Sequence, residues 1–353
     1  MKRGLLLGLV LTALLLGCGE RAAEQAEATP AATVAPTATA QPTPTVEPVL
    51  LTMAPTAEPT PAPTAAPTPA PTPTLTPTPA PTHGPTPFSL VLLPDTQALA
   101  YYTPEAFPEL RDWIEGHRES LNILGIVHTG DLVDNGFKEW QWDNFAPLLE
   151  AVHDGLFFFP VAGNHDMGAH TKSYAAYLKR PFLDDYPEEQ RFEGGKMLYR
   201  VLSAGGEDIL LLGVGWDAWR TKAAVKWIDG VLDSHPNIPC ILVTHGFFLS
   251  TGGIVSGLEQ LVAQRPAIRL IFSGHARDYQ TRAFAYDDDG DGVPDRNVTA
   301  AMLNMQEGQY AFRLLTFDPL THDIAVTTYR LDGALAEDKP GLGPISFTLT
   351  DAY

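Results

Sequence analysis

Between Thr29 and Pro87 the chain is written almost wholly in Thr, Pro and Ala, with no Lys or Arg. No other feature constrains the fold as much. Such a segment lacks the apolar bulk to offset the entropy of ordering, and its prolines favour extended polyproline II. Any folded body must be built outside it. At about 3.1 Å per residue the run reaches on the order of 180 Å when fully extended, which suits a stalk. Its Thr-Pro density also admits glycosylation.

The residues before it, MKRGLLLGLVLTALLLGCGE, carry two basic side chains, an apolar stretch from Gly4 to Leu16 and small residues ahead of Cys18. This is the layout of a secretory signal, and it is too short for a membrane span. Leu15, Leu16, Gly17 and Cys18 resemble the bacterial lipoprotein signal, which implies cleavage before a lipidated Cys18. The expected organisation is a signal peptide over 1–18, a disordered tether over 19–87 and one domain over 88–353, extracytoplasmic and lipid-anchored to the cell membrane. A cysteine carrying more than one acyl chain would anchor stably, each buried methylene adding about 0.8 kcal/mol.

The domain is long enough for one well-buried core. Over the chain 42 acidic side chains face 23 basic ones, a net charge of −19. That excess argues against sequence-independent binding to nucleic acid, and it suggests that some carboxylates hold cations. Apart from Cys18 the only cysteine is Cys240. It stands in IPCILV and reads as a small core residue.

Apolar runs in the domain repeatedly lead into polar motifs. SLVLLPDTQ ends at Asp95 and Gln97, LGIVHTGDLVDN at Asp131 and Asp134, and FFFPVAGNHD at Asn164, His165 and Asp166. ILLLGVGWD follows, then IPCILVTHG ending at His245 and IRLIFSGHAR ending at His275 and Arg277. Amphipathic helices are predicted near 104–120, 138–154, 218–234 and 255–264. Alternating strands and helices predict an α/β domain with a largely parallel inner sheet, and sites in such sheets form at the carboxyl ends of strands. Oxygen and imidazole donors without thiolate suit Mn, Fe or Zn in an open site.

The order Asp-x-Gln, Gly-Asp-x-x-Asp, Gly-Asn-His-Asp, His, Gly-His, running from Asp95 to Arg277, resembles the calcineurin-like metallophosphoesterase family. The resemblance implies a two-sheet β sandwich flanked by helices and a two-metal centre that hydrolyses phosphate esters. It implies Asp131 as the bridging ligand, with Asn164, His245 and His275 completing one site and Asp95 in the other. It also implies His165 as the acid that protonates the leaving alkoxide, oriented by Asp134. Two positions depart from the family pattern, where Gln97 and Arg277 stand in place of histidines. Arginine stays protonated and has no lone pair for a metal, but it can clamp a phosphoryl oxygen through two hydrogen bonds. The expectation is therefore one firm metal site and a second at Asp95 and Gln97 that is weak or empty, with Arg277 pairing with Asp95 or binding substrate. The alternative is a degenerate phosphoesterase that serves as a surface ligand-binding module.

Two further stretches stand out. DDDGDGVPD places Asp287, Asp289, Asp291 and Asp295 at positions 1, 3, 5 and 9 of a calcium-type loop with glycine at position 6, but Val298 occupies position 12, where glutamate is required. It reads equally as a solvated acidic hairpin. Trp216 and Trp219 follow a strand and read either as lining for a substrate cleft or, as such tryptophans more often are, as half-buried packing, and His128 reads as a satisfied histidine in the core or behind the ligands. After Asp295 only strands are predicted, completing the second sheet.

Overall fold

The computed structural model describes residues 86–152, 155–168, 173–306 and 310–353. The signal, Cys18 and the Thr-Pro-Ala tether lie outside these residues. The strands are β1 (Phe88–Leu93), β2 (Ile123–His128), β3 (Phe157–Pro160), β4 (Arg191–Phe192), β5 (Met197–Ala204), β6 (Glu207–Val214) and β7 (Cys240–Thr244). They continue as β8 (Ile268–Ser273), β9 (Asp278–Tyr286), β10 (Arg296–Asn304), β11 (Ala311–Asp318), β12 (Asp323–Arg330) and β13 (Phe347–Leu349). The helices are α1 (Gln97–Tyr102), α2 (Ala106–His117), α3 (Glu139–Leu149), α4 (Lys222–Ser234) and α5 (Ser256–Ala263).

These strands form two mixed sheets, one of six in the order β13-β12-β11-β1-β2-β3 and one of seven in the order β4-β5-β6-β7-β8-β10-β9. Each has a parallel centre, β1-β2-β3 in the first and β6-β7-β8-β10 in the second, with antiparallel strands outside it. The two-sheet sandwich is thus present, but the single inner sheet expected from the strand–helix alternation is divided between two. The last strands divide as well. Only β10 joins the second sheet, whereas β11 pairs with the free edge of β1 and brings β12 and β13 with it. Every residue of β1 is buried. An apolar strand left at an edge would expose both its ladder and its side chains, so β11 covers what would otherwise template aggregation.

The inner faces interlock through aromatic side chains. Phe159 of β3 lies against Gly213 of β6, where a Cβ would come within 3.0 Å of the ring. Phe159 is fully buried, and truncating such a ring costs about 3–5 kcal/mol. Outside the first sheet α2 packs Trp113 on Phe312 and Tyr329, and Phe107 on Phe145 of α3. On the second sheet α4 sets Trp227 against Phe192 and Tyr199. This helix starts where the Thr221 hydroxyl accepts the Ala224 N–H, and it buries Ala224, Ile228 and Val231 along one stripe. Cys240 is buried as expected. Among the described residues no helix is long and apolar enough to cross a membrane.

Candidate metal centre

Five strands end at one place. Asp95, Asp131 and Asn164 follow β1, β2 and β3 of the first sheet, and His245 and His275 follow β7 and β8 of the second. Asp131, His245 and His275 each bring one ligand atom within 4.8 Å of the others. The His245 Nε2 atom lies 3.1 Å from Asp131 Oδ2, 3.2 Å from Asn164 Oδ1, 3.2 Å from His275 Nδ1 and 3.9 Å from Asp95 Oδ1. Asp95 accepts the backbone N–H of His275 on both carboxylate oxygens, at 3.2 and 3.1 Å.

Close backbone approach makes this convergence geometrically feasible. A Cβ on Gly163 would lie 2.1 Å from Asp131 Oδ1, and one on Gly274 would lie 2.3 Å from Asp95 Oδ2. Glycine is the residue that leaves room for those carboxylates. Asp131 and His275 themselves adopt left-handed backbone, with φ of 53° and 69°. That conformation costs a non-glycine residue of order 1–3 kcal/mol, and residues held in it gather at functional sites.

Hydrogen bonds set the orientation of each donor. The Nδ1 of His245 donates to the Thr129 carbonyl at 3.0 Å, which can only accept, so Nε2 is the nitrogen whose lone pair can face the cluster. The backbone N–H of His165 donates to Asp131 Oδ1 at 2.8 Å, and Asn304 Nδ2 holds the His275 carbonyl at 2.9 Å. Asp166, buried, ties the cluster's loops together by accepting the N–H groups of Gly163 and Val133 at 2.7 and 3.1 Å.

The buried charges of this pocket act against one another. Burial pushes Asp95 up to about 7, with the His245 charge opposing and the Asp131 charge adding to the rise. Burial would lower His245, but the carboxylates of Asp131, Asp95 and Asp166 overcome it and lift the imidazole to about 9. His275 falls to about 4 through burial and the His245 charge beside it. Against its own burial, which would raise it, Asp131 is held below the usual carboxylate range by His245 and His165.

The His165 ring stands at the rim. Its Nδ1 lies 2.8 Å from the Asp134 backbone carbonyl and 3.2 Å from the Asp134 carboxylate. His128 is a satisfied buried histidine: Gly130 N–H donates to its Nδ1 at 3.1 Å, and its Nε2 meets the Thr96 hydroxyl at 3.0 Å. Burial first, and then the His245 charge, lower it to about 3. Trp216 stands as a lining residue would. Its ring centroid lies 4.5 Å from that of His275 and 5.6 Å from that of His245, so it walls the cluster. Trp219 packs over Gly257, as a packing residue would.

Gln97 opens α1, and its Oε1 is buried with no hydrogen-bond partner among the described residues. Arg277 is exposed, two residues past His275. The charges that act most on Asp95 are those of His245 and Asp131. In the acidic loop between β9 and β10, Asp287, Asp289 and Asp291 bring carboxylate oxygens within 4.8 Å of one another. Asp295 stands apart from that group in its contacts, accepting the N–H groups of Asp288 and Asp289 at 2.7 and 3.2 Å.

The donor set fits a divalent metal ion. Asp131 Oδ2, Asn164 Oδ1 and His275 Nδ1 all lie within 3.2 Å of His245 Nε2, a set with more lone pairs than protons to bridge them, and the buried Gln97 Oε1, two residues past Asp95, has no hydrogen-bond partner among the described residues.

Known proteins resemble this chain in sequence and in fold. A family model for calcineurin-like phosphoesterases matches residues 88–276. The chain is 31% identical over 255 residues to the uncharacterized protein YvnB of Bacillus subtilis, a match that takes in 69% of this chain and 20% of that protein. It thus spans about a fifth of that relative's length. Among solved structures, purple acid phosphatase PPD1 from yellow lupin (Lupinus luteus) seeds shares the fold. Its TM-score is 0.52 at 15% identity, with 75% of this chain and 54% of that one covered. With a family match over more than half of its residues, the chain belongs to the calcineurin-like phosphoesterases.

Proposed function

We propose that the domain hydrolyses phosphate esters at a divalent transition metal held by Asp131, Asn164, His245 and His275. The observation that carries this reading is the meeting of Asp131, His245 and His275 within 4.8 Å, with His165 on the adjoining loop. When bound, the cation would supply Lewis acidity toward a phosphoryl oxygen and make a water more acidic. The protein's own part is positional and protolytic. Asp134 holds His165 by Nδ1, so Nε2 is the nitrogen presented to substrate, and from it the leaving alkoxide takes its proton. Arg277, exposed and two residues past His275, would neutralise a phosphoryl oxygen in this reading.

A second cation at Asp95 and Gln97 would bind more weakly, because a neutral amide is a poorer donor than imidazole. The unpartnered Gln97 Oε1 supports some occupancy there. Gln97 and Arg277 are also what favours the alternative of a ligand-binding module with one metal site lost, but a retained proton donor has little use without turnover. Calcium at the acidic loop is supported by the three converging carboxylates of Asp287, Asp289 and Asp291.

Lipid anchoring through Cys18 and an extracytoplasmic place rest on the layout of residues 1–18. Detergent phase partition tests the anchor. Cys18→Ser is expected to move the protein to the aqueous phase, and retention in detergent would rule the anchor out.

The experiment for the activity is hydrolysis of a chromogenic phosphomonoester and phosphodiester, with chelator treatment and His165→Ala as controls. Turnover indifferent to both would remove the enzyme reading.

A further inference from the structure

A groove of about 940 Å³ has both Asp134, which holds His165, and Gln97, two residues past Asp95, in its lining. Because Asp134 is the residue that holds His165, the groove adjoins the proton donor of the proposed reaction. Two features of its walls stand out. Tyr101 and Tyr102 line it although 45% and 76% exposed, with ring centroids 4.5 Å apart and Trp140 edge-on to Tyr101 at 5.4 Å. Large exposed aromatic side chains clustered at a groove mark a binding surface.

The second feature is charge. The groove's two cations are already matched, Arg330 by Asp332 and Lys339 by Asp278. Glu105 and Glu109 add negative charge to the wall that carries the tyrosines, and no ion pair involving either is formed among the described residues. An anionic leaving group would meet repulsion there. A cation would meet aromatic faces and carboxylates together, the combination that recognises alkylammonium groups.

Resting on the phosphoesterase reading above, we infer that this groove receives the alkylammonium end of the leaving alcohol, so that the substrate class is phosphate esters of amino alcohols. Hydrolysis breaks the P–O bond to that alcohol and forms one to the water oxygen. The water gives up a proton, the alkoxide takes one from His165, and the ammonium group is untouched.

The test compares choline phosphate with 3,3-dimethylbutyl phosphate, its uncharged carbon isostere, each as monoester and as methyl diester. The full chain is used with Mn added, and p-nitrophenyl phosphate and bis-p-nitrophenyl phosphate serve as reporters of basal turnover. Expected is a kcat/KM at least ten-fold higher for the choline ester. Both Tyr101→Ala with Tyr102→Ala and Glu105→Gln with Glu109→Gln should cut that ratio at least three-fold. A ratio near one while the reporters turn over overturns the inference and leaves the phosphoesterase reading standing. A ratio that survives both paired variants overturns the placement in this groove. Loss of turnover on every ester removes both readings.

Discussion

The Nδ1 of His165 lies 2.8 Å from the backbone carbonyl of Asp134 and 3.2 Å from the carboxylate of the same residue. One residue thus grips the imidazole twice, and only one of the two grips can be removed by mutation. Asp134→Ala leaves the carbonyl that fixes the tautomer, so it is expected to lower kcat about ten-fold. His165→Ala removes the proton donor and is expected to lower kcat by about 10²–10⁴. Steady-state kinetics on an activated and an unactivated ester checks both. The His165→Ala loss should shrink on the activated ester, whose leaving group needs no proton.

Metal uptake should release protons. Against the effect of its burial, the carboxylates around His245 raise it to about 9, so at pH 7 that imidazole carries its proton, and burial raises Asp95 as well. A cation needs the His245 Nε2 lone pair and therefore competes with its proton. Apparent affinity is expected to increase as pH is raised from 6 toward 9. Calorimetry at pH 7 in buffers of different ionisation enthalpy should show at least about one proton released per ion. Uptake with no proton release would contradict the charge state assigned to this cluster.

The Gly163 position should tolerate no side chain. A Cβ there would sit 2.1 Å from Asp131 Oδ1 and 2.3 Å from the Asp131 N atom. Gly163→Ala must shift either the ligand or the strand loop, at a cost of about 1–3 kcal/mol. Metal content should fall more steeply than melting temperature, because the displaced group is a proposed ligand. Thermal melts paired with metal analysis measure the two together.

The acidic loop gives a separate readout. If Asp287, Asp289 and Asp291 hold calcium, millimolar calcium raises the melting temperature, and Asp289→Ala with Asp291→Ala abolishes the rise. An equal rise in the variant would place the effect elsewhere.

Much of this fold was legible because its central strands are buried on both faces. FSLVLL, CILVT and IRLIFS are apolar almost throughout and are bounded by motifs. The helices of 11–13 residues were legible from their stripes. β5 and β9 were not, since MLYRVLSA and DYQTRAFAY carry polar and half-exposed side chains on antiparallel strands outside the parallel centre. The six-residue α1 has no side-chain cap to announce it. Spacing suggested which side chains meet at the cluster, because five strands end together. What orients them was hidden: the Thr129 carbonyl that fixes the His245 tautomer is 116 residues away in sequence. Trp216 likewise reaches the histidines only through the pairing of β6 with β7, which no local pattern encodes.

The most direct test of the account is the metal content of the purified full chain, measured by elemental mass spectrometry before and after dialysis against excess Mn. One firmly held transition-metal ion per chain is predicted, unchanged by the excess and lost on His245→Ala. Two tightly held ions would contradict the weak second site at Asp95 and Gln97. A chain that retains no ion after exposure to Mn, Fe or Zn would contradict the metal centre itself.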